Sequence, residues 1–477
     1  MGIYGAINSA VSGLSAQATA LENISGNVAN SQTVGFKRLD TTFSDLVSGG
    51  GSTQADQVSG TTYATSRATN TIGGDISSND VDTYMAINGE GYFVVTQAAD
   101  FVDGSTTFAD DSFYTRAGDF EVNKEGYFVN QSGYYLKGFP LDPTTGNPVG
   151  DNPSVIQINS QPLAANSTTT VSYQASLPRV PATTNYDPNT TDSELLNDGA
   201  NGAPGPNLGN TEIGDTGTLE ADFLASSITG GSVTAYNSNG SEVPLNIRWA
   251  KIDNTAGAEV WSMYIDTGGE TGTSYYKVGD VTFDGTGQVT TVANTGATAG
   301  LGVTTDGTSN FTLDTITVGG VTAGTAADAA DSITISFANG SLTQFADPDG
   351  IATSVNLSQN GYAAGELTNI AIDESGRVIA SYSNNQTRAL YEIPLATFQA
   401  EQNLRRVDGA AFAATSDSGD ADLSGGGAVI SNALELSNAD IADEFSKLII
   451  TQQAYSANSK IVTSADEMLD SALNMVR

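Results

Sequence analysis

The run Ile7-Asn8-Ser9-Ala10-Val11-Ser12-Gly13-Leu14-Ser15-Ala16-Gln17-Ala18-Thr19-Ala20-Leu21-Glu22-Asn23-Ile24-Ser25-Gly26-Asn27-Val28 decides how the rest of the chain is read. Ile7, Val11, Leu14, Ala18, Leu21, Ser25 and Val28 recur at alternating steps of four and three. That rhythm places them on one stripe of a helix. Ile24 widens the stripe, and Gly13 and Gly26 each cost about 1 kcal/mol of helix propensity. The segment is therefore a marginal helix that needs neighbours. Asn30-Ser31-Gln32-Thr33 with Gly35 ends it.

The other end of the chain repeats the rhythm. Ile441, Phe445, Leu448, Gln452, Tyr455, Ser459, Val462, Asp466, Leu469, Leu473 and Val476 keep the four-three spacing, behind a capping box expected from Ser437 and Asp440. Gln452, Ser459 and Asp466 interrupt the seam; polar seam residues weaken a coiled coil and fix its register. Periodicity alone leaves two alternatives: an ordinary helix packed on its own domain, or an arm that pairs with other arms.

Between the ends the pattern is β. Residues 36–75 read as a Ser/Thr/Gly-rich connector with Ser48-Gly49-Gly50-Gly51-Ser52 as its flexible centre. Residues 76–143 hold short strand candidates such as Tyr92–Val95, Phe113–Thr115 and Tyr134–Leu136, punctuated by Asn88-Gly89 and Ala117-Gly118-Asp119. A second stretch of the same texture, 356–430, contains Thr368–Ile372 and Arg377–Tyr382 around the turn Asp373-Glu374-Ser375-Gly376. The insertion at 144–355 carries 22 acids and 4 bases. Its expected core includes Leu245–Trp249, Val260–Tyr264 and Asp331–Phe337, in one large domain or two small ones. The fold class expected is multidomain α+β: a discontinuous helical coiled-coil domain from residues 1–35 and 431–477, with mainly-β outer domains nested as insertions.

Composition narrows function by exclusion. The chain has 477 residues, 39% of them hydrophobic, so several cores are expected. The net charge of −37 argues against nucleic acid or an anionic membrane as partner. There is no Cys and no His, which removes disulfides, Ser-His-Asp chemistry and the usual zinc ligands. No apolar run approaches the roughly 18 residues of a membrane span, and no basic n-region of a signal peptide precedes Lys37. Asp347-Pro348-Asp349-Gly350 echoes a calcium loop but lacks the later acidic ligand, so a turn is expected. Nothing points to an enzyme, a cofactor or a metal.

Three stretches together resemble the bacterial flagellar axial proteins, the family of rod, hook and hook-associated subunits. The first is Gly13–Gln17 followed by Asn27–Lys37, in which Asn30, Thr33, Gly35, Phe36 and Lys37 match the end of the family's N-terminal signature. The second is Ile87–Phe93 with Tyr114–Phe120. The third is Phe445–Met468, above all Thr451–Lys460. Within the family the hook subunits fit best. Rod proteins usually lack so large an insertion, Val34 stands where a junction protein usually has Pro, and flagellins lack the Gly35-Phe36-Lys37 ending.

The resemblance implies a helical homopolymer whose inner tube is made by the terminal helices. The interface residues expected are Ile7, Val11, Leu14, Leu21, Val28, Ile441, Phe445, Leu448, Tyr455, Val462, Leu469 and Leu473. It further implies a curved coupling that transmits motor torque, located outside the cell and exported by the flagellar type III route without a cleaved signal. The partners implied are other copies of the chain, the distal rod, hook cap and hook–filament junction proteins, and the export apparatus. Two alternatives stand beside it: another axial subunit, or a secreted acidic β-rich adhesin or lattice protein whose helices pack within one subunit.

Overall fold

The computed structural model describes residues 3–46, 61–102, 105–199, 201–205, 207–208, 212–214, 217–268, 273–294, 303–306, 310–313, 316–318, 321–323, 332–337 and 340–475. The expected flexible centre at 48–52, Asp331 and Val476 lie outside them, as does the Leu473 side chain. The protein is mostly β, with helix α1 (Ile3–Ala29) near one end, a short α2 (Gly217–Ala225) in the middle and α3 (Ile441–Met475) near the other end. Two compact units divide it. The first comprises residues 1–160, 368–381 and 387–477; the second comprises 161–367 and 382–386.

The β-sheet of the first unit draws strands from both sides of the second unit's sequence. Its order is Leu367–Ile372, Arg377–Tyr382, Thr387–Glu392, Tyr135–Pro140, Tyr92–Thr96, Phe113–Thr115, Ala411–Ala413 and Arg405–Val407. Tyr92, Tyr114, Phe398 and Phe412 form a core on it through edge-to-face contacts at 4.7–6.2 Å. That geometry suits the ring quadrupoles.

The second unit encloses one shared core between two sheets. Strands Ile228–Tyr236, Glu242–Asp253, Glu259–Asp266 and Thr273–Phe283 run antiparallel in sequence order. The other sheet centres on Thr170–Pro178, which pairs parallel with Ile333–Ser336 and Leu342–Phe345 and antiparallel with Thr353–Gln359. Trp249, Trp261, Tyr173, Met263 and Ile335 are fully buried between them. The Trp249 Nε1–H donates to Tyr173 Oη at 2.8 Å, and Tyr173 donates to the Gly230 carbonyl at 2.8 Å, so both polar handles are satisfied. On the far side, α2 sets Phe223 against Tyr264 and Tyr275.

Two local expectations change. The connector at 36–75 contains two paired strands, Leu39–Asp45 with Thr62–Ala68, whose half-buried residues lie against α1. The boundary of the second unit falls at 161 and 367 rather than 144 and 355. Ile156 and Ile158 pair back with Leu136 and Gly126, while Thr353–Gln359 pairs into the second unit's sheet. The Asp347 and Asp373 segments are turns closed by their own carboxylates, as expected.

Candidate polymer interface and the joint behind it

Helices α1 and α3 pack antiparallel: the Asn27 side chain meets Glu444, and Gly13 lies against Asn458. A Cβ added at Gly13 would stand 2.8 Å from Asn458 Nδ2, so the glycine that weakens the isolated helix permits the close approach. The face of α1 turned toward its neighbours in the chain is made of small residues: Ala10, Gly13, Ala16 and Ala20 are buried, followed by Asn23, Ile24 and Asn27. On α3, Glu444, Thr451 and Ala465 are buried and Leu448, Ala454, Asn458, Val462 and Leu469 half-buried.

This is not the stripe that the large apolar residues trace. On α1 the covered face is turned by one residue from it, about 100° around the helix. Val11 is 49% exposed, while Ile7, Leu14, Leu21 and Val28 are half-buried along the margin. Among the residues expected on α3, Ile441, Phe445 and Tyr455 are exposed and only Leu448, Val462 and Leu469 turn partly inward. Phe445 (50%), Ile449 (54%) and Ile450 (66%) form an apolar surface on its first turns, which Ile461 and Met468 extend. Within one chain, small residues make the helix pair and large ones are left over.

The hairpin packs on α1 along a polar seam, Asn23 and Asn27, that lies off the periodic apolar stripe. Asn23 Nδ2 donates to Thr41 and Ser66 Oγ at 2.9 Å each. Asn27 Nδ2 donates to the Leu39 carbonyl at 2.9 Å and to Glu444 Oε2 at 3.1 Å, and its Oδ1 accepts from the Leu39 N–H at 2.9 Å. The N-terminus of α3 is capped differently from the expected box. Asp440 accepts from the Ala442 and Asp443 N–H groups at 2.7 and 3.2 Å, whereas Ser437 caps only the Ala439 N–H ahead of the helix.

Behind the helices lies a buried joint, and the matched motif builds its first half. Asn30 and Thr33 close the turn after α1. Gly35 has φ of +67°, and a Cβ there would stand 2.4 Å from the Ala117 nitrogen; only glycine fits both demands. The Phe36 ring carries the Arg406 guanidinium at 4.3 Å. Lys37 is buried, its ammonium bonded to Glu435 Oε1 and to the Ile72 carbonyl at 2.8 Å.

Glu435 and Arg116, which no spacing singled out, complete the joint. Arg116 Nη1 reaches Glu435 Oε2 at 3.2 Å, and the Gly74 N–H donates to Oε1 at 2.8 Å. Tyr92 links the pair onward to buried Glu401 at 3.1 Å. Two cations and two carboxylates thus balance out of water, as buried charge requires. Burial pushes the Lys37 ammonium below its usual range, and the Glu435 carboxylate opposes that. Asn438 adds a further clasp, accepting from the Arg38 N–H at 2.7 Å and donating to the Ile72 carbonyl at 3.1 Å. The joint ties residues 35–38 to 435–438, so both helices leave the β-sheet from one fixed base.

Four family models match the chain. They are described as flagella basal body rod protein over residues 7–37, flagellar hook protein FlgE/F/G D1 domain over 86–174, flagellar basal body protein FlaE D2 domain over 215–362, and flagellar basal body rod FlgEFG protein C-terminal over 430–475. Among similar proteins, the flagellar hook protein FlgE of Caulobacter vibrioides is 30% identical, with all of both chains covered. That of Brucella suis is 29% identical, again over all of both chains. That of Salmonella typhimurium is 30% identical over 98% of each. A crystal structure of Helicobacter pylori flagellar hook protein FlgE2 aligns with a TM-score of 0.47 and 15% identity, over 74% of this chain and 98% of that one, too distant to bear on the fold. Full-length likeness to hook proteins sets aside the adhesin or lattice alternative and favours the hook over the other axial subunits. The chain belongs to the flagellar hook protein FlgE family.

Proposed function

We infer that this chain is a structural subunit of the extracellular flagellar hook and that it polymerises with copies of itself through α1 and α3. The observation that carries the mechanism is the exposed apolar surface of the helix pair, Val11 with Phe445, Ile449 and Ile450. Large apolar side chains left in water along both helices are costly and mark a contact. The remaining expected residues with described side chains, Ile7, Leu14, Leu21, Val28, Ile441, Leu448, Tyr455, Val462 and Leu469, lie at its margins and further along α3; Leu473 is proposed with them from its spacing. A head-to-tail contact between such surfaces does not close and yields an open helical filament.

In this reading the β regions sit outside the tube as nested insertions, and the joint at Lys37, Arg116 and Glu435 passes torque between the first unit's β-sheet and the helices. The distal rod, the hook cap and the hook–filament junction proteins are its neighbours at the polymer's ends, and the flagellar export apparatus delivers it. No catalysis is assigned.

The test is assembly of Val11→Asp and Phe445→Asp variants of the full chain. Both side chains are half in water, so the monomer should fold normally while polymer disappears from the pellet and from electron micrographs. Normal filaments from both variants would overturn the assignment of the interface.

A further inference from the structure

A groove of about 530 Å³ opens between α1, the Leu39–Asp45 strand and the first turns of α3. Its floor is apolar, from Ile24, Leu39 and Phe43, and Arg38, Arg67 and Lys447 stand around it. Asp40 lies 3.6 Å from both Arg38 and Lys447, and Glu444 pairs with Lys447 at 2.7 Å. Three bases against two acids is a basic site in a chain of 17 bases and 54 acids. Among the described residues Arg67 makes no ion pair, and Arg38 Nε is buried with no hydrogen bond.

The opposite end of the helix pair has the reverse problem. Asp466, Glu467 and Asp470 are exposed toward the C-terminal end of α3. Among the described residues they make no salt bridge. The antiparallel register puts the first turns of α1 beside them, and residues 3–21 of α1 carry no charged side chain. Exposed Met468, in the same turn as these acids, supplies an apolar contact of the kind the groove floor accepts.

We propose that the groove beside Arg38, Arg67 and Lys447 receives the acidic end of α3, Asp466 to Asp470, from a second copy of this chain. The occupant is a second copy because its acids match the groove's bases, and because both sites lie on the helix pair that carries the polymer contact. The inference rests on that reading and gives it a direction: the groove at one end of each helix pair is basic, α3 at the other end is acidic, and the contact is head to tail.

The experiment uses charge reversal in the full chain, with pelleting, electron microscopy and circular dichroism to check the fold. An Arg67→Glu, Lys447→Glu variant and an Asp466→Lys, Asp470→Lys variant should each raise the concentration needed for polymer by about tenfold or more. An equimolar mixture should polymerise again, because the acidic groove of the first variant meets the basic tail of the second, and the native basic groove of the second meets the native acidic tail of the first. Rescue by mixing cannot arise from a contact inside one chain. Wild-type assembly by either variant, or no rescue in the mixture, would overturn the proposal. Val11→Asp separates the two ideas: if it blocks assembly while the charge variants assemble normally, the helix interface stands and the groove pairing falls. If it assembles normally, the interface itself falls.

Discussion

The helix pair and the second unit solve opposite problems with the same side chains. The second unit puts Tyr173, Ile247, Ile265 and Ile335 inside, with Trp249, Trp261 and Met263 wholly removed from water. The helix pair puts Ala10, Gly13, Ala16 and Ala20 inside and leaves Val11, Phe445, Ile449 and Ile450 outside. Burial of apolar area is the main favourable contribution to folding. The second unit is therefore a finished core, and the helix pair is one face of a core that other subunits complete. Where the large residues of an amphipathic helix remain uncovered, the fold is to be sought in the assembly.

The largest expected effect breaks this contrast outright. Val11→Asp or Phe445→Asp should abolish polymer and leave the melting of the second unit unchanged, whereas Trp249→Ala should do the reverse. Its cavity should cost the second unit about 3–5 kcal/mol, measured by denaturant unfolding, with assembly intact under conditions where that unit stays folded. If Trp249→Ala stopped assembly while the second unit remained folded, the division of labour would fail.

The joint should respond on a similar scale but in a different place. Glu435→Ala strands Lys37 and Arg116 in a dry site, at a cost of about 3–5 kcal/mol to the first unit. Two-probe unfolding would show that loss with the second unit's transition unmoved. A surface-sized loss of under about 1 kcal/mol would mean water reaches the cluster.

Alkaline pH sharpens the comparison further. Burial raises the phenol pKa of Tyr173 and Tyr264 in the second unit and of Tyr92 in the first. The folded chain then keeps protons that the unfolded chain releases, so this stability is full below about pH 10 and is lost as pH rises above it. Thermal melts from pH 8 to 11 should fall only above about pH 10 for both β regions. The smallest effect is at the cap: Asp440→Ala should cost α3 about 1 kcal/mol of helix stability, read as faster amide exchange in its first turn.

The sequence revealed α1, α3 and the longer apolar strands through periodicity, because 3.6- and 2-residue repeats are local, but it gave no sign of α2 or of many short strands. Leu245–Trp249 and Val260–Tyr264 pair as neighbours, with Trp249 opposite Met263. The face of α1 that is covered was not legible: Ala and Gly carry little hydropathy, and the periodic residues mark the side that wants cover, which here differs from the side that has it inside the chain. The hairpin at 39–68 was hidden by its Ser and Thr content. Gly35, Phe36 and Lys37 stood out only as a matched motif. Glu435, the partner that explains Lys37, lies 398 positions away with no repeat or spacing to mark it.

Amide hydrogen exchange on monomer and polymer of the wild-type chain tests the central claim most directly. An unfinished core predicts that residues 3–29 and 441–475 exchange rapidly in the monomer and become protected on polymerisation, while 228–283 are protected equally in both. Equal and strong protection of both helices in the monomer would contradict it, and would mean that the small-residue face already holds the pair without help from other subunits.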